Sequence, residues 1–497
     1  MNNTGRRIAK NASVLMVAQL ITWALSLVLS IFMTRSLGPA GIGKYQLAIS
    51  IWAIMSILIT FGMDMFLVKE IARNPENLPE FYSTSTITRI ILYAVGFAIT
   101  GLYVSLANYP ADTVTIIYII GISSLLGVIG GACQASLQGL ERMEFVSIGD
   151  IVSKGFITVA IIALLLAGFG LKQVAIVIIV GAAISFIIQF LALRRLQPLR
   201  LVFHFPKAKW MLAASFPYLM IIGVRTIYSQ IDVVVISLLV NETVLGWYSM
   251  ATRLFATFLF IPTVIMMAVF PVMSRIHTAD PESLPKLFRK NVDFVLLLGV
   301  PIGLGLMVIS DQLVVLLFGE AFAKSGVVLA IMGLVLIMTY QNMAIGQFLI
   351  STDRQNVWTK VMAIAIGVTI LLDIVLIPFC QSQFDNGAIG GALSFLVTET
   401  AMTIYGIWLL RKELRSAPNG WSSIRIVAAG LLMVAGTWWL RDMFILVPII
   451  VGAVIYSGAI VVLKVIPKED RDMFGSMLQS LVARIRKLKP ETSGVRG

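Results

Sequence analysis

The sequence predicts an all-α integral membrane protein with fourteen transmembrane helices. Twelve form two six-helix bundles related by a pseudo-two-fold axis along the membrane normal, and two more helices follow at the C-terminus. Three observations lead there. Of 497 residues, 58% are hydrophobic and only 13% charged, about half the charge of a soluble domain. Apolar stretches long enough to cross a bilayer follow one another along the whole chain. A unit of roughly 200 residues also occurs twice. The net charge of +13 gathers on no polar domain, which excludes a nucleic-acid binder, so it is read by membrane side. Cys133 and Cys380 fall in or at the end of apolar stretches and form neither a disulfide framework nor a metal site.

In chain order the stretches run 13–33, 46–66, 87–107, 114–137, 148–168, 173–193, 216–240, 246–272, 291–310, 326–350, 357–378, 387–410, 424–440 and 443–466. Basic residues beside short loops stay in the cytoplasm. With the N-terminus inside, 31 of the 38 Lys and Arg fall on inner segments. Five fall on outer segments (Arg35, Lys44, Lys172, Lys324 and Arg441), and Arg225 and Arg253 lie within spans. One missed helix would scramble this alternation, so it supports both the span count and cytoplasmic termini in a multi-pass cell-membrane protein. Residues 13–33 are too long for a signal core and lack a small-residue cleavage site, so they read as an uncleaved first span. In the tail, Phe474, Met477, Leu478, Leu481, Ile485 and Leu488 share one face against Arg484, Arg486, Lys487 and Lys489. That pattern predicts a basic amphipathic helix on the inner leaflet.

The duplication rests on four matches in the same order. Gly43-Lys44-Tyr45-Gln46-Leu47-Ala48 aligns with Gly246-Trp247-Tyr248-Ser249-Met250-Ala251, and the lead-in from Arg6 aligns with that from Lys207. Glu141-Arg142 aligns with Asp353-Arg354, and Ser185-Phe186 with Ser394-Phe395. Six spans per copy is an even number, so both copies enter the membrane in the same sense. A central cavity between paired bundles is the architecture alternating-access transporters use. The expected divisions are 1–195 and 196–412 for the two bundles, 413–466 for the two extra helices, and 467–497 for the tail.

Charge at bilayer depth is expensive and marks candidate sites. Arg225, Ser229 and Asp232 form one polar stripe on the seventh span, and Arg253 on the eighth comes near the depth of Asp232. Two readings stand: a structural Arg–Asp lock, or a cationic patch for an anionic substrate, since an Arg fork suits phosphate oxygens. Thr22 and Ser26 align with Arg225 and Ser229 at the repeat offset, which makes the cavity lopsided and cationic on its C-terminal side. Glu399, near the middle of the twelfth span with no basic residue within a turn, is the candidate for ion coupling, the alternative being a protonated Glu bonded to a neighbouring helix. Asp373 joins it as a second candidate, nearer the outer interface. Asp150 and Lys154, spaced i, i+4, are expected to neutralise each other. Asp64 and Asp293 read as boundary residues. The pairs Gly127/Gly131, Gly299/Gly303 and Gly387/Gly391 suit helix packing, and Pro262 and Pro301 suit kinks.

Gly38 to Lys44 mimics a phosphate-binding loop, but Tyr45 replaces the required Ser/Thr and the loop faces outward. No His/Cys cluster suggests a metal, no cofactor is expected, and no outer loop is long enough for an external catalytic domain. A transporter is therefore expected, and not an enzyme.

Between the first two spans, Arg35-Ser36-Leu37-Gly38-Pro39-Ala40-Gly41-Ile42-Gly43-Lys44-Tyr45 resembles the R-x-L-G-P-x-x-x-G-x-Y signature of polysaccharide flippases in the multidrug/oligosaccharidyl-lipid/polysaccharide exporter superfamily. The resemblance covers the whole chain through the repeat and the final helix pair. It implies movement of a polyprenyl-pyrophosphate-linked oligosaccharide from the inner to the outer leaflet by alternating access. The implied partners are that lipid, the surrounding membrane lipids, and a polysaccharide polymerase and glycosyltransferases. The drug/cation antiporter branch commonly carries an acidic residue in the first span, and residues 13–33 contain none. A peptidoglycan-precursor flippase is a closer alternative that the sequence separates poorly.

Overall fold

A computed structural model describes residues 3–199, 202–416 and 421–465. The tail expected to be amphipathic, 467–497, lies outside them. Among the described residues every regular element is a helix. They run α1 (Asn3–Thr60), α2 (Met63–Arg73), α3 (Leu78–Ala107), α4 (Ala111–Gly139), α5 (Met143–Leu166), α6 (Leu171–Leu196), α7 (Phe205–Leu239) and α8 (Glu242–Phe258). There follow α9 (Phe260–Ala279), α10 (Leu284–Phe318), α11 (Ser325–Ser351), α12 (Gln355–Phe384), α13 (Ala388–Leu409), α14 (Arg411–Ser416), α15 (Trp421–Thr437) and α16 (Leu446–Val462). Inner and outer below denote the sides assigned by the basic residues.

Among the described residues, twelve helical segments are long and apolar enough to cross a membrane. Each of the fourteen apolar stretches falls on a helix. The first two share α1, and the last is the shorter α16. Large apolar side chains such as Leu106, Val159, Leu166 and Val462 stay exposed, as a lipid-facing surface requires.

Three interruptions follow from local chemistry. In α1, Gly38 (φ 66°, ψ 178°) occupies a backbone region open essentially to glycine alone, and Pro39 disfavours helix in the residue before it. The chain thus turns from the first span into the second without a loop. At the other end of the second span, Phe61 and Gly62 both take positive φ (50° and 73°). A Cβ on Gly62 would lie 2.6 Å from the Leu219 backbone nitrogen of α7, so close approach demands glycine as well. The eighth stretch breaks at Leu259, between α8 and α9. Pro262 has no N–H to offer the carbonyl four residues earlier, which explains the break. Pro301 lies inside α10 with the helix continuing through it.

By packing, the chain divides into two compact units that cut across the sequence repeat. The first comprises 1–258, 310–332 and 353–402. It holds α1 to α8, α12, most of α13, the last turns of α10 and the first turns of α11. One part of its core surrounds Phe66, Leu67, Ile71, Phe81, Tyr82 and Leu137. The second comprises 259–309, 333–352 and 403–497, and its core joins α10 to α15 and α16 through Val300, Leu304, Ala429, Met433, Tyr456 and Ile460. Within it, Asp293 accepts hydrogen bonds from Ser422 (2.5 Å) and Ser423 (2.8 Å) at the start of α15 and pairs with Arg289 (3.3 Å). That carboxylate anchors the extra helices and is more than a boundary residue.

Candidate functional site

The site belongs to the first unit, where α1, α5, α7, α8, α12 and α13 meet. Its outer side is built by the signature segment and its repeat copy. A Cβ on Gly43 would overlap the carbonyl of Glu242, and a Cβ on Gly246 would overlap the carbonyl of Pro39. Gly43 and Gly246 stand 203 residues apart, as do Pro39 and Glu242, so the contact is reciprocal, as a two-fold relation requires. Deeper by about two turns, Ser50 donates to Gln230 (2.7 Å), and Arg253, the repeat mate of Ser50, reaches the Ser26 carbonyl (3.5 Å). The same relation therefore holds again to within one residue.

Other signature residues serve the same end. Arg35 donates to the Leu316 (2.6 Å) and Leu317 (3.2 Å) carbonyls, which the α10 C-terminus leaves without helical partners. Beside it, Thr34, Arg35, Gly38, Phe318 and Glu320 line a cavity of about 420 Å³. Lys44 pairs with Asp112 at the start of α4. At the matching place in the second copy, Trp247 stacks under Lys324 (4.9 Å to the ring centroid), and Lys324 pairs with Asp385 (2.6 Å). The hydrogen bond from Lys44 holds the Asp112 carboxyl below its ordinary range, and that from Lys324 does the same for Asp385.

On α7 the stripe of Arg225, Ser229 and Asp232 passes from exposed to buried going outward. Asp232 is covered by α8 and accepts the Tyr248 hydroxyl (2.6 Å). Neither Arg225 nor Arg253 forms an ion pair among the described residues, so the Arg–Asp lock is not what is built there. Arg225 is exposed, and no contact joins it to Arg253. Thr22 and Ser26 spend their hydroxyls on α1's own carbonyls, at Gln19 (3.0 Å) and Thr22 (2.7 Å).

The acidic residues form a separate group. Glu399, 3% exposed, accepts the Tyr228 hydroxyl (2.6 Å). Asp373 is fully buried, and neither of its oxygens has a hydrogen-bond partner; one oxygen of Asp232 is likewise unmet. Asp373 and Asp232 lie within electrostatic range of each other, and Asp232 within range of Glu399. The Ser394 hydroxyl sits beside Asp373 but donates to the Gly390 carbonyl (3.0 Å). Thr369 and Thr398 bond each other nearby (3.0 Å). Close packing of α13 on α7 and α8 depends on Gly391, where a Cβ would come 2.9 Å from Ile236. Asp232 and Asp373, buried carboxylates with unmet oxygens and no ion pair among the described residues, can take up a proton or a cation. Sequence reasoning found Asp232, Asp373 and Glu399 but missed Tyr228 and Tyr248. Tyr248 was visible as the tyrosine of the repeated G-x-Y-x-x-A.

In the N-terminal copy, Asp64 is paired. Arg89, 0% exposed, donates to Asp64 Oδ1 (2.7 Å), Ser85 (3.1 Å) and the Val128 carbonyl (3.2 Å). Gly131 makes room for that guanidinium, with its Cβ position 3.3 Å away, while a Cβ on Gly127 would meet nothing within 4 Å, so close packing does not require glycine there. The expected Asp150–Lys154 pair is not formed either. Asp150 faces Gln189 Nε2 (3.4 Å) instead.

A duplicated helical membrane protein with reciprocal outer contacts and polar groups at bilayer depth is, as a class, a transporter built on paired helical bundles. The chain belongs to the family described as polysaccharide biosynthesis protein, whose profile matches residues 8–277, and the profile described as Lipid II flippase MurJ matches residues 144–460. It is similar to the probable low-salt glycan biosynthesis flippase Agl15 of Haloferax volcanii, 23% identical over 443 residues, covering 86% of this chain and 89% of that protein. It is also similar to a putative O-antigen transporter of Shigella dysenteriae, 23% identical over 376 residues, covering 74% and 90%. Among solved structures, the lipid II flippase MurJ in an inward closed conformation superposes with a TM-score of 0.71 at 15% identity, covering 89% of this chain and 98% of that one. The fold is thus shared with that flippase, and the chain is a membrane flippase of the polysaccharide biosynthesis family.

Proposed function

We propose that this flippase carries a polyprenyl-diphosphate-linked oligosaccharide from the cytoplasmic to the outer leaflet of the cell membrane, for assembly of a surface glycan. The observation that carries the reading is the pair Arg225 and Arg253, two exposed guanidiniums at bilayer depth with no carboxylate partner. A diphosphate supplies the missing anion, and an Arg fork fits its oxygens. Ser229, Thr22 and Ser26 give the glycan a polar path. The six-span copies 1–195 and 196–412 rock against each other, both termini stay in the cytoplasm, and the polymerase and glycosyltransferases of the same glycan work on either side of the step.

Asp232, Asp373 and Glu399 serve ion coupling in this reading. Neither arginine forms an ion pair with them, so the driving ion and the anionic cargo do not compete for one site. The profile match over residues 144–460 keeps a peptidoglycan precursor, also a diphosphate lipid, as the second reading.

In cells lacking the protein, lipid-linked oligosaccharide accumulates on the inner leaflet. Arg225→Gln and Arg253→Gln abolish glycan export at unchanged protein level. Export surviving both substitutions sinks the assignment.

A further inference from the structure

The N-terminal copy contributes a cation of its own. Lys154 lies eleven residues into α5, about 16 Å from its inner end at 1.5 Å per residue, which is bilayer depth. Its neighbour Asp150 is engaged by Gln189, and no carboxylate among the described residues pairs with the ammonium. Arg253 of the other copy lies within electrostatic range of it. Arg253 in turn reaches across to the Ser26 carbonyl of α1, the helix against which α5 packs. Tyr45 lies within range of the same guanidinium. Two cations brought together from two copies at bilayer depth repel each other at an effective dielectric well below that of water. The arrangement is relieved by an anion placed between them.

We infer that Lys154 is a substrate-binding residue that shares the phosphate oxygens of the cargo with Arg253, so that the diphosphate bridges the two copies. This rests on the proposed function above and deepens it. The diphosphate becomes the link through which cargo binding stabilises approach of the copies, because the bridging site is complete only when both cations reach it. Lysine suits the role as a compact point charge with three rotatable donors, beside the directional fork of the arginine.

The test uses the purified full-length protein and two probes, a polyprenyl diphosphate and the corresponding neutral polyprenol, with affinities read by native mass spectrometry. Lys154→Gln should weaken diphosphate binding by about tenfold to a hundredfold, the loss expected for one charge-assisted contact, while Lys154→Arg keeps most of it. Polyprenol affinity should be unchanged in both. The effects of Lys154→Gln and Arg253→Gln should be less than additive in the double variant, since they act on one bound group. If Lys154→Gln binds the diphosphate like the wild type while Arg253→Gln does not, the inference about Lys154 falls and the functional reading stands. Equal weakening for the polyprenol makes Lys154 a packing residue and overturns the inference. A wild type that does not prefer the diphosphate removes the functional reading and the inference with it.

Discussion

The two copies of the repeat pack alike and differ in their chemistry. At the outer contact Gly43 and Gly246 play the same part, each pressed against a backbone carbonyl of the other copy. Around them the side chains diverge. Lys44 pairs with Asp112 in one copy, and Trp247 stacks under Lys324 in the other. Asp64 is satisfied by a buried arginine in the first copy, whereas Asp232 and Asp373 of the second have unmet oxygens. Backbone approach tolerates no variation, because a Cβ there has no rotamer by which to escape. Side chains that only need a partner can change it, and the second copy has used that freedom to leave carboxyl oxygens unmet.

The largest effect is expected from breaking what the copies share. Gly43→Ala and Gly246→Ala each drive a methyl group into a carbonyl, so both should prevent the outer contact from closing and reduce glycan export at least about tenfold. Thiol labelling of a cysteine introduced nearby, for example Lys44→Cys, should rise in parallel. If only one glycine is sensitive, the contact is not reciprocal in the working protein.

Next comes the contrast between the two sets of acids. Asp64→Asn leaves the Arg89 guanidinium buried without its counter-ion and should cost about 3–5 kcal/mol, visible as a lower Tm in detergent. Asp232→Asn keeps an acceptor for Tyr248 and removes an uncompensated charge, so stability should hold or rise while ion-driven export fails. Equal destabilisation by both would show that the carboxylates of the second copy are structural.

The smallest effect concerns the outer pins. Lys44→Met breaks a partly exposed pair and should lower stability by under about 1 kcal/mol. Lys324→Met loses an aromatic face and a carboxylate together, so its Tm should fall further. Asp112 and Asp385 have folded-state pKa values below the ordinary 3.8. Their contribution is complete above that value and is lost as pH falls through the depressed folded values. Thermal unfolding between pH 5 and pH 2.5 should show the loss in the wild type and a smaller one in Lys44→Met.

Much of the site was legible because charge inside an apolar stretch is conspicuous. Arg225, Arg253, Asp232 and Glu399 stood out for that reason alone. Lys154 did not, since it stands one turn from Asp150, which would neutralise it, and close to the start of the fifth stretch; α5 begins at Met143 and carries the lysine to bilayer depth. Arg89 was lost in the same way, because α3 begins at Leu78 and not near 87. Polar first turns hide the true start of a membrane helix from any hydropathy reading.

The sequence by itself determined the class, the apolar spans and the duplication, because each is written in composition and periodicity along one chain. It also placed glycine where the two copies meet. Only the tertiary structure decided who partners whom. Asp232 turned from arginine to Tyr248, Asp150 from lysine to Gln189, and Asp64 found Arg89. Spacing along a helix fixes which face a side chain occupies, but its partner is set by the helix packed against that face.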